Sequence, residues 1–192
     1  MDVMTYVVLK GSGLPPGQAL GSGTVVDSAR FRYWVSQRCN IDARNVHAYV
    51  IGEHGDSEVL LWSLVDISGI PLESFCRNCN QKPTPKTESQ IEETVKKSAY
   101  HIIETNGLTN YVVSLAMLRI LGAVVRDEHN VLTVSTLVNG EYGIYDLCLS
   151  VPRVISSNGI ERVIETRPST REGAGLQGSA GVLRSVIKNL GY

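Results

Sequence analysis

The chain carries only two phenylalanines and two tryptophans in 192 residues. No run in it approaches the roughly 20 apolar residues that a membrane span requires. Its start lacks the basic-then-apolar order of a secretory signal peptide, so a cytoplasmic location is expected. Charge of one sign is missing as well: 18 basic residues against 19 acidic ones leave a net charge of -1. That balance offers no electrostatic footprint for nucleic acid or for an anionic membrane, and neither is expected as a partner.

Cysteine is scarce too, and the four present, Cys39, Cys76, Cys79 and Cys148, are irregularly spaced, which argues against a disulfide framework. Cys76-Arg77-Asn78-Cys79 has metal or redox spacing. No second Cys/His pair completes a tetrahedral site, and no βαβ pattern surrounds it, so two thiols in a loop is the plainer reading and no metal is expected. Missing finally is a Gly-x-Gly-x-x-Gly after a strand with an acidic residue about 20 positions on, the fingerprint that seats a dinucleotide pyrophosphate. Gly11-Ser12-Gly13 and Gly21-Ser22-Gly23 do not complete it.

What is present suffices for one sizeable core, since 43% of the residues are hydrophobic. A single domain over residues 1–192 is expected. Met1 to Leu9 is rich in β-branched and aromatic residues, as strands are, and reads as an element already under way. Thr24 is placed to cap a helix running to Cys39-Asn40, with Asp27 in its first turn. On that helix Asp27 and Arg30 project from one side and Arg32 elsewhere. Asn45–Ile51 and Glu58–Ile67 read as neighbouring strands, and Ser68 to Lys86 as a loop.

Helices are expected from Thr87 to Glu104 and from about Thr109 to Val125. The second is so continuously apolar that burial on most sides is predicted, in a core or a subunit interface. Residues 131–138, 147–155 and 159–165 follow as three β-rich runs, separated by the turn dipeptides Asn139-Gly140 and Asn158-Gly159. A helix from Ser169 closes the chain, its four glycines weakening the first half. The fold class is therefore α+β, with antiparallel sheets packed with long helices.

The chemistry centres on Gly52-Glu53-His54-Gly55-Asp56-Ser57. A histidine titrates near neutral pH and can exchange a proton with a substrate, and flanking glycines let backbone and ligand approach. A histidine in a polar turn is the plain alternative. Asp27 alone reads as a first-turn carboxylate, Arg30 as a surface ion pair and Thr109 as a helix N-cap.

Asp27-Ser28-Ala29-Arg30-Phe31-Arg32 followed by the His54 stretch, with Val131-Leu132-Thr133-Val134-Ser135 and Gly140-Glu141-Tyr142-Gly143, resembles the L-lactate and L-malate dehydrogenase family over essentially the whole chain. Glu53 and Thr109 resemble the lactate branch. The resemblance implies that His54 exchanges a proton with the C2 oxygen of a small 2-oxo or 2-hydroxy acid, oriented by Asp27. Arg30 would grip the substrate carboxylate, Thr109 would line the substrate pocket and Ser22 would lie near the nicotinamide of NAD. It also implies a homo-oligomer, dimer or tetramer. Arg32 and His47 match positions that bind fructose 1,6-bisphosphate in allosteric bacterial members.

With the dinucleotide fingerprint absent, the family's cofactor domain and mobile loop are expected upstream of Met1. The chain then corresponds to the catalytic half of an NAD-dependent L-lactate dehydrogenase that interconverts pyruvate and lactate, with little or no activity alone. The alternatives are a non-catalytic oligomerisation module and the same domain of an L-malate or other L-2-hydroxyacid dehydrogenase.

Overall fold

A computed structural model describes residues 1–76 and 83–192, with the side chain of Asn106 also left aside. The Cys76-to-Cys79 spacing therefore lies partly outside the described residues. Within them, Cys76 is buried, as are Cys39 and Cys148.

The first element is a helix, α1 (Asp2–Ser12), not the strand that its β-branched residues suggest. Asp2, Thr5, Tyr6 and Leu9 are its buried residues. That spacing makes one helical face, and packing on that face outweighs a weak intrinsic preference. α2 (Val25–Cys39) follows, with Thr24 at the cap position. The Thr24 hydroxyl does not cap the helix; it donates to the Val50 carbonyl at 2.5 Å and so ties the start of α2 to the segment leading to His54.

The two strands expected on either side of His54 are broken into short pieces. β1 (Val46–His47) and β2 (Val50–Ile51) lie in different sheets, and β3 (Val59–Leu60) is parted from β4 (Asp66–Ile67) by a 3-10 turn, Trp62–Leu64. β2 pairs antiparallel with β3, so His54 does sit on a strand-to-strand connection. β5 (Ile70–Pro71) and α3 (Leu72–Cys76) occupy part of the stretch read as loop.

α4 (Pro85–Asn106) and α5 (Asn110–Val125) are the two expected helices. Only Ala116, Ile120, Gly122 and Ala123 of α5 are buried within the single chain, so of the two covers expected, a core or a subunit interface, its own core supplies one side. Tyr111, Leu115, Leu118 and Val125 are each more than 60% exposed. Apolar content says that a helix wants cover, not that the same chain supplies it.

The three β-rich runs form one antiparallel sheet, β6 (Asn130–Val138), β7 (Leu147–Ser156) and β8 (Gly159–Val163), in the order β6-β7-β8. Every residue of β7 is buried. Its Leu147, Leu149 and Val151 join Tyr6 and Leu9 of α1 in the main core cluster. The closing helix α6 (Thr170–Asn189) adds Leu176, Ala180, Leu183 and Ile187 to it. A full Ser169/Glu172 capping box fixes the start of α6 despite its glycines.

A second cluster joins Phe31, Val35 and Cys39 of α2 to Val50, Leu60, Ile91 and Val95. The His54 loop crosses between the two clusters, because Ile51 belongs to the first and Val50 to the second.

Gly23 shows how tightly α2 is seated. Its φ is +52°, and an added Cβ would lie 2.5 Å from the Ser135 nitrogen, 2.5 Å from Ser150 Oγ and 2.7 Å from the Thr133 oxygen. Gly23→Ala is expected to lower the unfolding free energy by about 2–4 kcal/mol in urea titration. Gly178→Ala, in open space on α6, should instead raise it by about 0.5–1 kcal/mol.

Candidate active site

His54 and Asp27 meet across the fold. Nδ1 of the imidazole lies 2.6 Å from Asp27 Oδ2, and Asp27 is almost fully buried while about a third of the His54 side chain is open to solvent. With the ring charged, Nδ1–H donates to Asp27 and Nε2 carries the second proton, so the nitrogen available to a substrate is the one the carboxylate does not occupy. The other carboxylate oxygen, Oδ1, accepts from an Arg30 terminal nitrogen at 3.0 Å. One turn of α2 thus supplies both the partner of the imidazole and a cation beside it.

The loop that presents His54 is pinned at several points. Gly52 exchanges two backbone hydrogen bonds with Ser150 of β7, at 2.8 and 3.1 Å. Its φ of +96° and the nearness of Ser179 Oγ, 2.8 Å from where a Cβ would stand, exclude most other residues. Ser179 of α6 accepts from the Glu53 N–H at 2.6 Å, and the Ser57 hydroxyl donates to the Glu53 carboxylate. The N–H of His54 itself donates to Asp2 Oδ2 at 2.9 Å, and Asp2 Oδ1 accepts from the Ser150 hydroxyl at 3.2 Å.

Asp2, Ser150 and Ser179 went unnoticed in the sequence. Asp2 alone left a trace there, as an acid at the head of an apolar stretch; nothing local marks a serine that faces a loop more than 90 positions away.

The Asp27 hydrogen bond raises the His54 pKa above the ordinary imidazole value of 6.5, against a smaller opposing effect of burial. Asp27, His54 and Glu58 each offer an atom within 4.8 Å of the others, a spacing that would admit a metal ion. The 2.6 Å contact favours a hydrogen bond instead, since two ligands of one ion bound at about 2.0–2.2 Å stand roughly 3 Å or more apart.

The remaining residues singled out in the sequence are dispersed. Thr109 stands at the N-cap position of α5 without a side-chain cap bond. Ser22 is buried beside the bridge between Gly21 and Ser135. Among the described residues no hydrogen bond links either to the pair. Arg32 points away from Asp27: its Nε donates to the Ala48 carbonyl at 3.0 Å and its guanidinium lies 5.3 Å from the Tyr49 ring centre. It lines one cavity with His47, Arg44 and Arg119, about 580 Å³ in volume.

The fold and this cluster define an α+β domain that holds an imidazole–carboxylate pair beside a guanidinium. Residues 24–191 match the family of lactate/malate dehydrogenase alpha/beta C-terminal domains, and the chain belongs to that family. Over 190 residues it is 48% identical to the L-lactate dehydrogenases of Acetivibrio thermocellus and Thermoanaerobacter pseudethanolicus. The match takes in 99% of this chain and 60% and 61% of those proteins, so the chain spans about three fifths of their length.

Among solved structures, a lactate dehydrogenase from a deep-sea metagenome library superposes with a TM-score of 0.96 at 35% identity, over 100% of this chain and 61% of that one. The ligand-bound minor L-lactate dehydrogenase of Enterococcus mundtii gives 0.93 at 34% identity, over 98% and 60%.

A raised imidazole pKa is also a statement about stability. Its contribution is fully present below pH 6.5 and is lost as pH rises through the folded-state value. In Asp27→Asn the His54 signal followed by NMR should titrate at lower pH than in wild type, and the stability difference between the two proteins should shrink as the solution is made alkaline.

Proposed function

We propose that the chain, as a single domain over residues 1–192, is the substrate and proton-transfer part of an NAD-dependent L-lactate dehydrogenase. The observation that carries this reading is the 2.6 Å bond from His54 to a buried Asp27 that also holds Arg30. Nε2 of His54 gives its proton to the C2 oxygen of pyruvate as that carbon is reduced, and takes it back from lactate in reverse. Asp27 fixes the ring orientation and favours the charged form. Arg30, tied to Asp27 by one nitrogen, keeps the rest of its fork for the substrate carboxylate. Thr109 would border the same pocket.

The hydride would come from NADH. The residues present do not form a site for it: the sheets of the described residues are all antiparallel. The glycine turn before α2 is closed by Ser135 and Ser150 rather than open to a phosphate. Ser22 is left as an edge contact to the nicotinamide, and the chain's own task is binding, orientation and proton transfer. Glu53 and Thr109 support pyruvate over oxaloacetate as the substrate; an L-malate enzyme is the alternative within the same chemistry.

A second reading, an assembly module without chemistry, draws on the apolar outer side of α5. The same side suits a homo-oligomer in either case. The cavity shared by Arg32, His47, Arg44 and Arg119 suits a phosphorylated effector such as fructose 1,6-bisphosphate.

The purified chain should oxidise NADH with pyruvate no faster than its His54→Asn variant. Joined to the remaining two fifths of the Acetivibrio thermocellus enzyme, it should reduce pyruvate, and His54→Asn should cut kcat by about 10²–10⁴-fold. A joined enzyme indifferent to that substitution would leave the assembly reading standing.

A further inference from the structure

Glu58 closes the His54 loop and is only 4% exposed. Its Oε1 is buried without a hydrogen-bond partner. Its carboxyl, the imidazole and the Asp27 carboxylate lie within 4.8 Å of one another. Two carboxyl groups that close in a buried place do not both ionise, and the proton goes to the one with fewer partners. Asp27 has two, His54 and Arg30.

The surroundings of Glu58 favour the same assignment. Asp27 on α2 and Asp56 on its own loop oppose a charge there, while Arg30 on α2 and Lys96 on α4 favour one, and neither cation hydrogen-bonds to it. It borders a cavity of about 370 Å³ with Glu88 and Glu92 of α4 and Arg171 and Glu172 of α6. Glu92 accepts from Trp62 and pairs with Arg171, and Glu172 accepts from Ser63 and Ser169, so these acids have partners of their own.

We propose that Glu58 is a positioning residue of the site: an un-ionised carboxyl behind Asp27, which leaves Asp27 the single anion hydrogen-bonded to the His54 ring. Arg30 and the charged imidazole against one carboxylate then give the cluster a net positive charge that an anionic 2-oxo acid neutralises. A second carboxylate would cancel that charge before the substrate arrived. The benefit to substrate rests on the proton-transfer function proposed above; the protonation of Glu58 does not, and it is tested without substrate.

Burial, reinforced by Asp27, pushes the Glu58 pKa up to about 9 from 4.5. The folded chain then binds one more proton than the unfolded chain between those values, so this group makes stability fall as pH rises through that window. In the full chain, carbon-13 NMR should find the Glu58 carboxyl protonated at pH 7 and titrating well above 4.5, and Asp27→Asn should bring it down. Glu58→Gln should leave the His54 titration where it is. The wild-type unfolding constant should rise relative to that of Glu58→Gln by up to about tenfold per pH unit inside the window. A Glu58 carboxyl that titrates in the ordinary range, one that ignores Asp27→Asn, or a His54 pKa that falls in Glu58→Gln would each overturn the proposal.

Discussion

Ser150, in the middle of the buried central strand, is the point on which the site depends. Its backbone pairs with Gly52, its hydroxyl reaches Asp2, and Asp2 holds the N–H of His54. The same hydroxyl closes on Gly23 at the head of the helix that carries Asp27 and Arg30. Both halves of the imidazole–carboxylate pair are therefore referred to one residue of a strand that cannot shift without breaking its ladder on both sides. A bond of 2.6 Å between groups 27 positions apart needs such a common reference, because two elements free to move by even 1 Å would lose most of its strength.

The buried acids are handled in three ways, and the differences sort them by role. Asp2 and Glu172 accept hydrogen bonds from backbone N–H groups and hydroxyls, and they stitch segments together. Asp27 accepts from a guanidinium and an imidazole, and so joins the two basic side chains of the cluster. Glu58 has a buried oxygen with no partner at all. In a fold that satisfies the other three, an unsatisfied carboxyl beside the imidazole–carboxylate pair is the exception that calls for a functional account.

The antiparallel sheet, the two long helices and the last helix were legible because each rests on a local signal: β-rich runs parted by Asn-Gly turns, and apolar residues at helical spacing; the Ser169/Glu172 capping box that firms the last helix was not read. The first helix was not, since Val3, Val7 and Val8 speak for a strand and only packing against β7 and α6 decides otherwise. The apolar α5 was legible as a helix, but not how little of it the chain's own core covers, because hydropathy does not name the covering surface.

At the site, Asp27, Arg30 and His54 were recognisable through motif order, and the structure brings those three together. Ser150 and Ser179 were invisible, and Asp2 showed only as an acid heading an apolar stretch, because their partners lie 52 to 148 positions apart, and a lone acid or serine does not name such a partner.

His54 remains partly open although its partner is buried, and this division suits what the proposed proton transfer asks of each. Asp27 must keep water away from a charged hydrogen bond, since in a low dielectric that bond is stronger and the ring is held harder. Nε2 must stay reachable, so one side of the ring cannot be covered by residues of its own loop. Under the function proposed above, the domain would supply a fixed proton and a fixed cation at an open edge, while whatever closes over that edge would supply the dryness and the electron pair. Positioning of this kind is complete before any substrate is present. That is why its construction shows in the chain's own hydrogen bonds, from Ser150 through Asp2 to the loop that carries the imidazole.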